Sequence, residues 1–164
     1  EARASEMTVA ERLGREGKLP RRLCHCDTKV NNMLIDAVTG EVLCVIDLDT
    51  VMPSFVFSDY GDFLRTGACT AAEDEPDLSK IDFDMDIYRA FTDGYLSEAE
   101  SFLTPLERSM LPFAVRLFPY MQATRFLTDY INGDTYYKTI GPEHNLVRTR
   151  AQLALLDAID RRLS

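Results

Sequence analysis

The segment from residue 32 to residue 47 constrains the fold more than any other part of the chain. Asn32-Met33-Leu34-Ile35-Asp36 and Glu41-Val42-Leu43-Cys44-Val45-Ile46-Asp47 are two short apolar runs separated by Ala37-Val38-Thr39-Gly40. Short aliphatic and β-branched runs bounded by turn residues predict strands, and this spacing predicts a β-hairpin. Gly40 suits the turn, because a residue without Cβ takes a positive φ at no steric cost. A hairpin brings its two outer ends together. Asn32 and Asp47 are therefore expected at the same end, with Asp27 in the loop that enters it.

Elsewhere the pattern is helical. Residues 5–17 read as a helix capped by Ser5, with Met7, Val9, Ala10 and Leu13 as its apolar positions and Gly17 closing it. Pro20 stops any continuation. Residues 22–26 are short and largely apolar or small. Ser58 is expected to cap a short helix over 59–67, and residues 72–80 form an acidic, proline-containing loop. Met85, Tyr88, Phe91 and Tyr95 recur at helical spacing within 84–100. Thr104-Pro105-Leu106-Glu107 is a capping box with proline at the first helical position, which marks a helix start. Pro112 and Pro119 fall in the segment that follows, and each is expected to interrupt or kink a helix by removing a donor. Residues 143–163 read as a terminal amphipathic helix with Leu146, Val147, Ala151, Leu153, Leu155 and Ile159. The fold class expected is mainly α with one small β-hairpin, an α+β arrangement forming a single domain over 1–164.

With 46% hydrophobic residues in 164, the chain can bury a core. A net charge of −9 repels phosphate backbones and argues against general nucleic-acid binding. It does not exclude a nucleotide, whose charge Mg2+ and local donors offset. No apolar run approaches the roughly 18–20 residues of a membrane span, and no basic, then apolar leader opens the chain. Cys24, Cys26, Cys44 and Cys69 are too few for a disulfide scaffold and lack the second cysteine pair of a zinc site. Free thiols in a reducing cytoplasm are expected. The chain opens at Glu1 without a methionine, so an upstream part of the protein is expected to be missing. Asp82-Phe83-Asp84-Met85-Asp86 has the look of a calcium loop. Ile87 stands where such a loop needs Gly, and Asp93 where it needs Glu, which argues against it.

The chemistry concentrates around the hairpin. Asp27, Asn32 and Asp47 form an oxygen-bearing set with few ligands. Such a set suits Mg2+, which keeps waters and leans on substrate phosphates. Phosphoryl transfer is largely a problem of positioning and charge, and it needs this set. Asp27 is assigned as the base that takes the substrate hydroxyl proton, with Asn32 and Asp47 as metal ligands. The five-residue step from Asp27 to Asn32 matches the Asp-then-Asn pattern of kinase catalytic loops.

His25-Cys26-Asp27 followed by Asn32, and then Ile46-Asp47, resembles the catalytic and metal-binding loops of the aminoglycoside phosphotransferase and choline kinase family. Cys26 departs from that pattern, which usually has Gly there. The longer strings His25 to Leu34 and Val45 to Pro53 are similar to the N-acetylhexosamine 1-kinases within the family. So are Phe57 to Asp62, Tyr130 to Tyr137 and Pro142 to Arg150. The resemblance spans residues 20–160. It implies a cytoplasmic kinase that uses ATP and Mg2+ to phosphorylate the anomeric hydroxyl of N-acetylglucosamine or N-acetylgalactosamine. It further implies that this chain is the C-terminal catalytic lobe of a protein-kinase-like fold. No Gly-rich loop is found, and none of Lys18, Lys29, Lys80 and Lys138 lies in a strand ahead of the catalytic loop. An N-terminal nucleotide-binding lobe is therefore expected to be the chain's partner, and the chain alone is expected to be inactive and to expose an apolar patch.

Further residues carry two readings each. Asp49 either reaches the metal, orients the loop or makes a local hydrogen bond. Lys29 touches the transferred phosphate or the sugar, or is solvated. His25 is read as structural, and Asp59 and Asp62 as groups that brace or cap the metal loop. Arg125 and Asp129, at i and i+4, form an ion pair on a helix face, or Arg125 and Tyr136 line a sugar pocket. Rival functions are a kinase of the same fold acting on choline, homoserine or methylthioribose, and a kinase-like module without catalysis. A sulfate-removing hydrolase lacks its Cys/Ser-x-Pro-x-Arg motif here.

Overall fold

The structure is a computed structural model that describes residues 3–163. Two short helices open it, α1 (Ala4–Met7) and α2 (Val9–Arg15). The single helix expected over 5–17 is broken at Thr8, and Ser5 lies inside α1 instead of capping it. The Thr8 hydroxyl donates to the Ser5 carbonyl at 2.9 Å, and such side-chain bonds to the backbone compete with helix continuation. Gly17, at φ +70°, ends α2 as expected.

Four strands follow: β1 (Arg22–Cys24), β2 (Met33–Ile35), β3 (Val42–Val45) and β4 (Met52–Ser54). The predicted hairpin is β2 against β3, antiparallel with Met33 opposite Val45. Gly40 sits in its turn at φ +74°. A second sheet pairs β1 with β4, Cys24 opposite Met52. The sequence did not disclose it, because Met52-Pro53-Ser54 has little strand character. Its effect is large. Residues 25–51 become an excursion clamped at both ends by β1 and β4, and every residue proposed for metal binding or proton transfer lies within it.

Helix α3 (Phe57–Gly67) begins just ahead of the cap predicted at Ser58. The Ser58 hydroxyl instead shares a 2.8 Å hydrogen bond with that of Ser54. Asp84 caps α4 (Met85–Ala99), accepting from the backbone of Asp86 and Ile87. The acidic run at 82–86 is thus used for capping and for pairing, Asp82 with Arg162. The capping box forms at α5 (Pro105–Ser109) as predicted. Its Glu107, 1% exposed, also takes Arg22 Nε at 2.8 Å and Nη2 at 2.9 Å, tying α5 to the strand that leads into the loop from His25 to Asn32.

Helix α6 (Leu111–Ile131) runs on through Pro119, so the interruption expected there does not occur. Pro112 lies in the first turn, where its missing N–H has no acceptor anyway. An interior proline costs about 3 kcal/mol. Val115, Phe118, Ala123 and Phe126 are buried on the same helix, and a fully buried large apolar side chain contributes about 1.5–3 kcal/mol. Packing therefore outweighs the lost bond. The core lies where α6 meets α3 and α7 (His144–Arg162), built from Phe57, Tyr60, Leu64, Ala114, Val115, Leu155 and Ile159. Helices α3 and α6 approach so closely at Gly61 that a Cβ there would lie 2.6 Å from the Ala114 carbonyl oxygen. The hairpin is the opposite case: Leu34, Ile35, Val42, Leu43 and Val45 are all exposed. The four cysteines are unpaired. Among the described residues no helix is long and apolar enough to cross a membrane.

Candidate active site

The loop from His25 to Asn32 is held from beneath by α3. The Asp59 carboxylate accepts the backbone N–H of His25 at 2.9 Å and that of Cys26 at 2.8 Å. The Asp59 carbonyl accepts the Thr28 hydroxyl at 2.7 Å. One helical residue thus holds three of the four loop positions 25–28. The bonds fix Cys26 at φ +66°, a left-handed conformation that L-residues rarely take and that glycine takes freely. His25 joins the two chemistry-bearing loops. Its Nδ1 accepts the Asp27 N–H at 3.3 Å and its Nε2 meets the Ile46 carbonyl at 2.9 Å. Since Nδ1 accepts, Nε2 carries the proton and donates. The Thr50 hydroxyl donates to the His25 carbonyl at 2.7 Å, closing the loop from the other side.

These bonds deliver Asp27 into a small polar cluster. Lys29 Nζ donates to Asp27 Oδ2 at 2.8 Å, and Asn32 Nδ2 donates to the same oxygen at 2.9 Å and to the Asp27 carbonyl at 2.8 Å. Both donors use Oδ2. Oδ1 takes no donor among the described residues and is the oxygen left open. Burial works to raise the Asp27 carboxyl, but Lys29 and Asn32 outweigh it and hold it below the ordinary carboxylate range. The group is therefore ionised and able to accept a proton at neutral pH.

Asn32 is 5% exposed, and its Nδ2 is committed to Asp27. That fixes the amide so that Oδ1 is the atom available to a cation. Asp47 follows β3 at φ +67°, next to the Ile46 N–H that bonds the Asn32 carbonyl at 2.9 Å. Its charge contributes to raising the Lys29 pKa, behind the direct bond to Asp27. No group of three His, Cys, Asp or Glu side chains gathers to hold a metal among the described residues. Asn32 and Asp47 would offer one amide and one carboxylate oxygen, with other positions left to phosphates and water. That set fits Mg2+ better than a metal needing an all-protein cage. Asp49 lies exposed in the turn Leu48–Thr50, and its side chain takes no hydrogen bond among the described residues. Thr50 ties this turn to the loop from His25 to Asn32.

The cavity beside Asp27 has a volume of about 420 Å³. Asp27, Lys29 and Thr50 line it together with Gln122, Arg125 and Tyr136. Residues a hundred positions apart, read from the sequence as base and as sugar contacts, thus share one cavity. The helix-face ion pair does not form. Asp129 instead accepts the backbone N–H groups of Thr135 at 3.0 Å, Tyr136 at 2.8 Å and Tyr137 at 3.0 Å, and Asn145 Nδ2 at 2.8 Å. The Tyr137 N–H leads in holding the Asp129 carboxyl low. Arg125 is left to lie over the rings of Tyr136 at 5.9 Å and Tyr137 at 5.5 Å.

Sequence reasoning missed three groups. Tyr137 lines the cavity, as does Arg65, 6% exposed, whose Nε donates to Asp62 Oδ1 at 2.9 Å. Glu73, from the loop after α3, takes Arg65 Nη1 at 2.5 Å. Asp62 is therefore buried inside an ionic group, and burial raises its carboxyl despite Arg65. The i, i+3 spacing of Asp62 and Arg65 on α3 was a usable signal. Glu73 carried none, because its partner is set by the tertiary path of the loop.

An ionised Asp27 with one open oxygen lines the cavity, and the Asn32 amide is fixed against that carboxylate; a phosphotransferase needs a carboxylate and an amide of this kind. Residues 1–95, more than half of the chain, match the model of the phosphotransferase enzyme family. The chain belongs to that family, the aminoglycoside phosphotransferase and choline kinase group. The matched span contains Asp27, Asn32, Asp47, Asp59, Asp62 and Glu73, and ends ahead of Arg125 and Tyr136.

Proposed function

We propose that this chain is the C-terminal catalytic lobe of a kinase that uses ATP and Mg2+ to phosphorylate the anomeric hydroxyl of an N-acetylhexosamine. The observation that carries the reading is the single cavity lined by Asp27 on one side and by Arg125 and Tyr136 on the other. Asp27 Oδ1 accepts the proton of the attacking hydroxyl. Lys29 and Asn32 hold Oδ2, so the carboxylate cannot turn away. Arg125 and the Tyr136 hydroxyl are the groups offered to the sugar hydroxyls or the acetamido oxygen. Asn32 and Asp47 would hold Mg2+, which supplies charge neutralisation for the ATP phosphates.

Two further observations support the reading. The exposed apolar side chains of β2 and β3 form the kind of surface that marks an interaction site, here for an upstream nucleotide-binding lobe. A choline acceptor is disfavoured by Arg125. A quaternary ammonium needs open aromatic faces, and Tyr136 and Tyr137 already carry a guanidinium.

The test is Mg2+-dependent ADP release by the protein carrying both lobes. N-acetylglucosamine, N-acetylgalactosamine, glucose, choline and homoserine are offered in parallel, with Asp27→Asn as control. Release that depends on an N-acetylhexosamine and is lost in the control supports the proposal. Release with choline or homoserine alone refutes the sugar assignment.

A further inference from the structure

Arg65 and Glu73 have no part in the scheme above, yet both line the acceptor cavity. The two oxygens of Glu73 are not equivalent. Oε1 is engaged by Arg65 Nη1, while Oε2 takes no donor among the described residues. The Glu73 side chain is 38% exposed, against 6% for Arg65 and 9% for Asp62. It is the member of the ionic group that a ligand can reach.

Its position is not that of a loose loop residue. Arg65 holds its head group, and the next residue, Asp74, is pinned to His144 Nε2 at 3.1 Å. His144 is buried at the start of α7, and its Nδ1 accepts the Ile140 N–H at 3.3 Å. An exposed loop glutamate ordinarily keeps its rotamer freedom, and ordering it costs entropy. Here the backbone and the carboxylate are both fixed, on the wall of the cavity that holds Asp27. A carboxylate offers a ligand there hydrogen-bond acceptors. The acceptor must supply a hydroxyl or amide N–H, and bonds to a charged acceptor are about twice as strong as neutral ones.

We propose that Glu73 is a specificity-determining residue, whose Oε2 accepts a hydrogen bond from an acceptor hydroxyl other than the one phosphorylated. Arg65 is its positioning residue. The proposal rests on the sugar-kinase reading and deepens it: the site selects polyols over acceptors with a single hydroxyl.

The experiment is NMR titration of this chain with N-acetylglucosamine and with its 3-, 4- and 6-deoxy analogues. It is run on the wild type, Glu73→Gln and Glu73→Ala, with thermal melts recorded alongside. In the wild type one deoxy analogue is expected to bind about ten- to a hundredfold more weakly than the parent sugar. Removing the Glu73 carboxylate is expected to weaken the parent sugar by a similar factor and to weaken that analogue no further. A uniform loss across all four ligands would overturn the proposal, since it would make Glu73 merely structural. Unchanged affinities in both variants would overturn it too, and would leave the kinase reading standing. Absence of binding by every sugar to the wild type would instead remove the sugar reading, and this proposal with it.

Discussion

Asp59→Asn changes one atom type in a side chain that accepts two consecutive backbone N–H groups, those of His25 and Cys26. An amide can accept one of these bonds. Its NH2 then faces the other N–H, donor against donor. Hydrogen bonds to charged groups contribute roughly 1.5–3 kcal/mol and neutral ones about 0.5–1.5. Losing one bond and neutralising the other should cost about 2–4 kcal/mol. The same bonds offset the left-handed backbone of Cys26, worth about 1–2 kcal/mol for an L-residue. Once they weaken, the loop relaxes away from φ +66° and carries Asp27 with it. Urea denaturation of the chain should show the stability loss. Turnover by the two-lobe protein should fall about a hundredfold, the usual effect of an ångström-scale misplacement. Adding Cys26→Gly should restore about 1 kcal/mol, since glycine adopts the required φ without strain. A stability change below about 0.5 kcal/mol with full turnover would refute the reasoning, and would mean that His25 and Thr50 hold the loop unaided.

Lys29→Ala removes the leading donor that holds the Asp27 carboxyl low against its burial. The Asp27 pKa should rise, and the acid limb of the pH–rate profile should move to higher pH; an unmoved limb contradicts the assignment. Gly61→Ala should destabilise by at least the roughly 1–3 kcal/mol of an overpacked core, because the new methyl meets the Ala114 carbonyl and the Phe118 ring; a Tm within a degree of wild type would show that α3 and α6 can part. Glu107→Gln leaves Arg22 without its carboxylate. Arg22 is 26% exposed, so the loss should fall short of a wholly buried pair, at about 2 kcal/mol in urea denaturation. Burial raises the Glu107 carboxyl, but Arg22 and Thr104 outweigh it and hold it low. Its stabilisation is thus present above its unfolded pKa and lost as pH falls through the lower folded value. The variant should be less sensitive to acid over that window, and equal acid sensitivity would contradict the pairing.

What was legible in the sequence was local. The hairpin could be read from two apolar runs and Gly40, and the α5 start from Thr104 and Glu107, because both depend on neighbours within a few residues. The meeting of Asn32 with the hairpin's far end follows from strand geometry alone. The β1–β4 clamp was not legible, since Met52-Pro53-Ser54 is extended only because Arg22–Cys24 pairs with it. Pro119 shows the converse: burial of the whole helix carries it past a residue that removes a donor. Asp59 could be suspected from its place just after the metal loop, but not its two bonds, which depend on how α3 packs beneath residues 25–28. Glu73 was hidden in an acidic stretch that reads as a solvated loop.

On the proposed function, Asp27 delivers an acceptor hydroxyl to ATP. The most direct measurement is coupled 31P and 1H NMR of the product formed by the two-lobe protein from N-acetylglucosamine, ATP and Mg2+, with wild type and Asp27→Asn in parallel. A phosphorus coupled to the anomeric proton is expected, formed about 10²- to 10⁴-fold more slowly by the variant. A phosphate on any other hydroxyl, or an Asp27→Asn enzyme working at the wild-type rate, would contradict it.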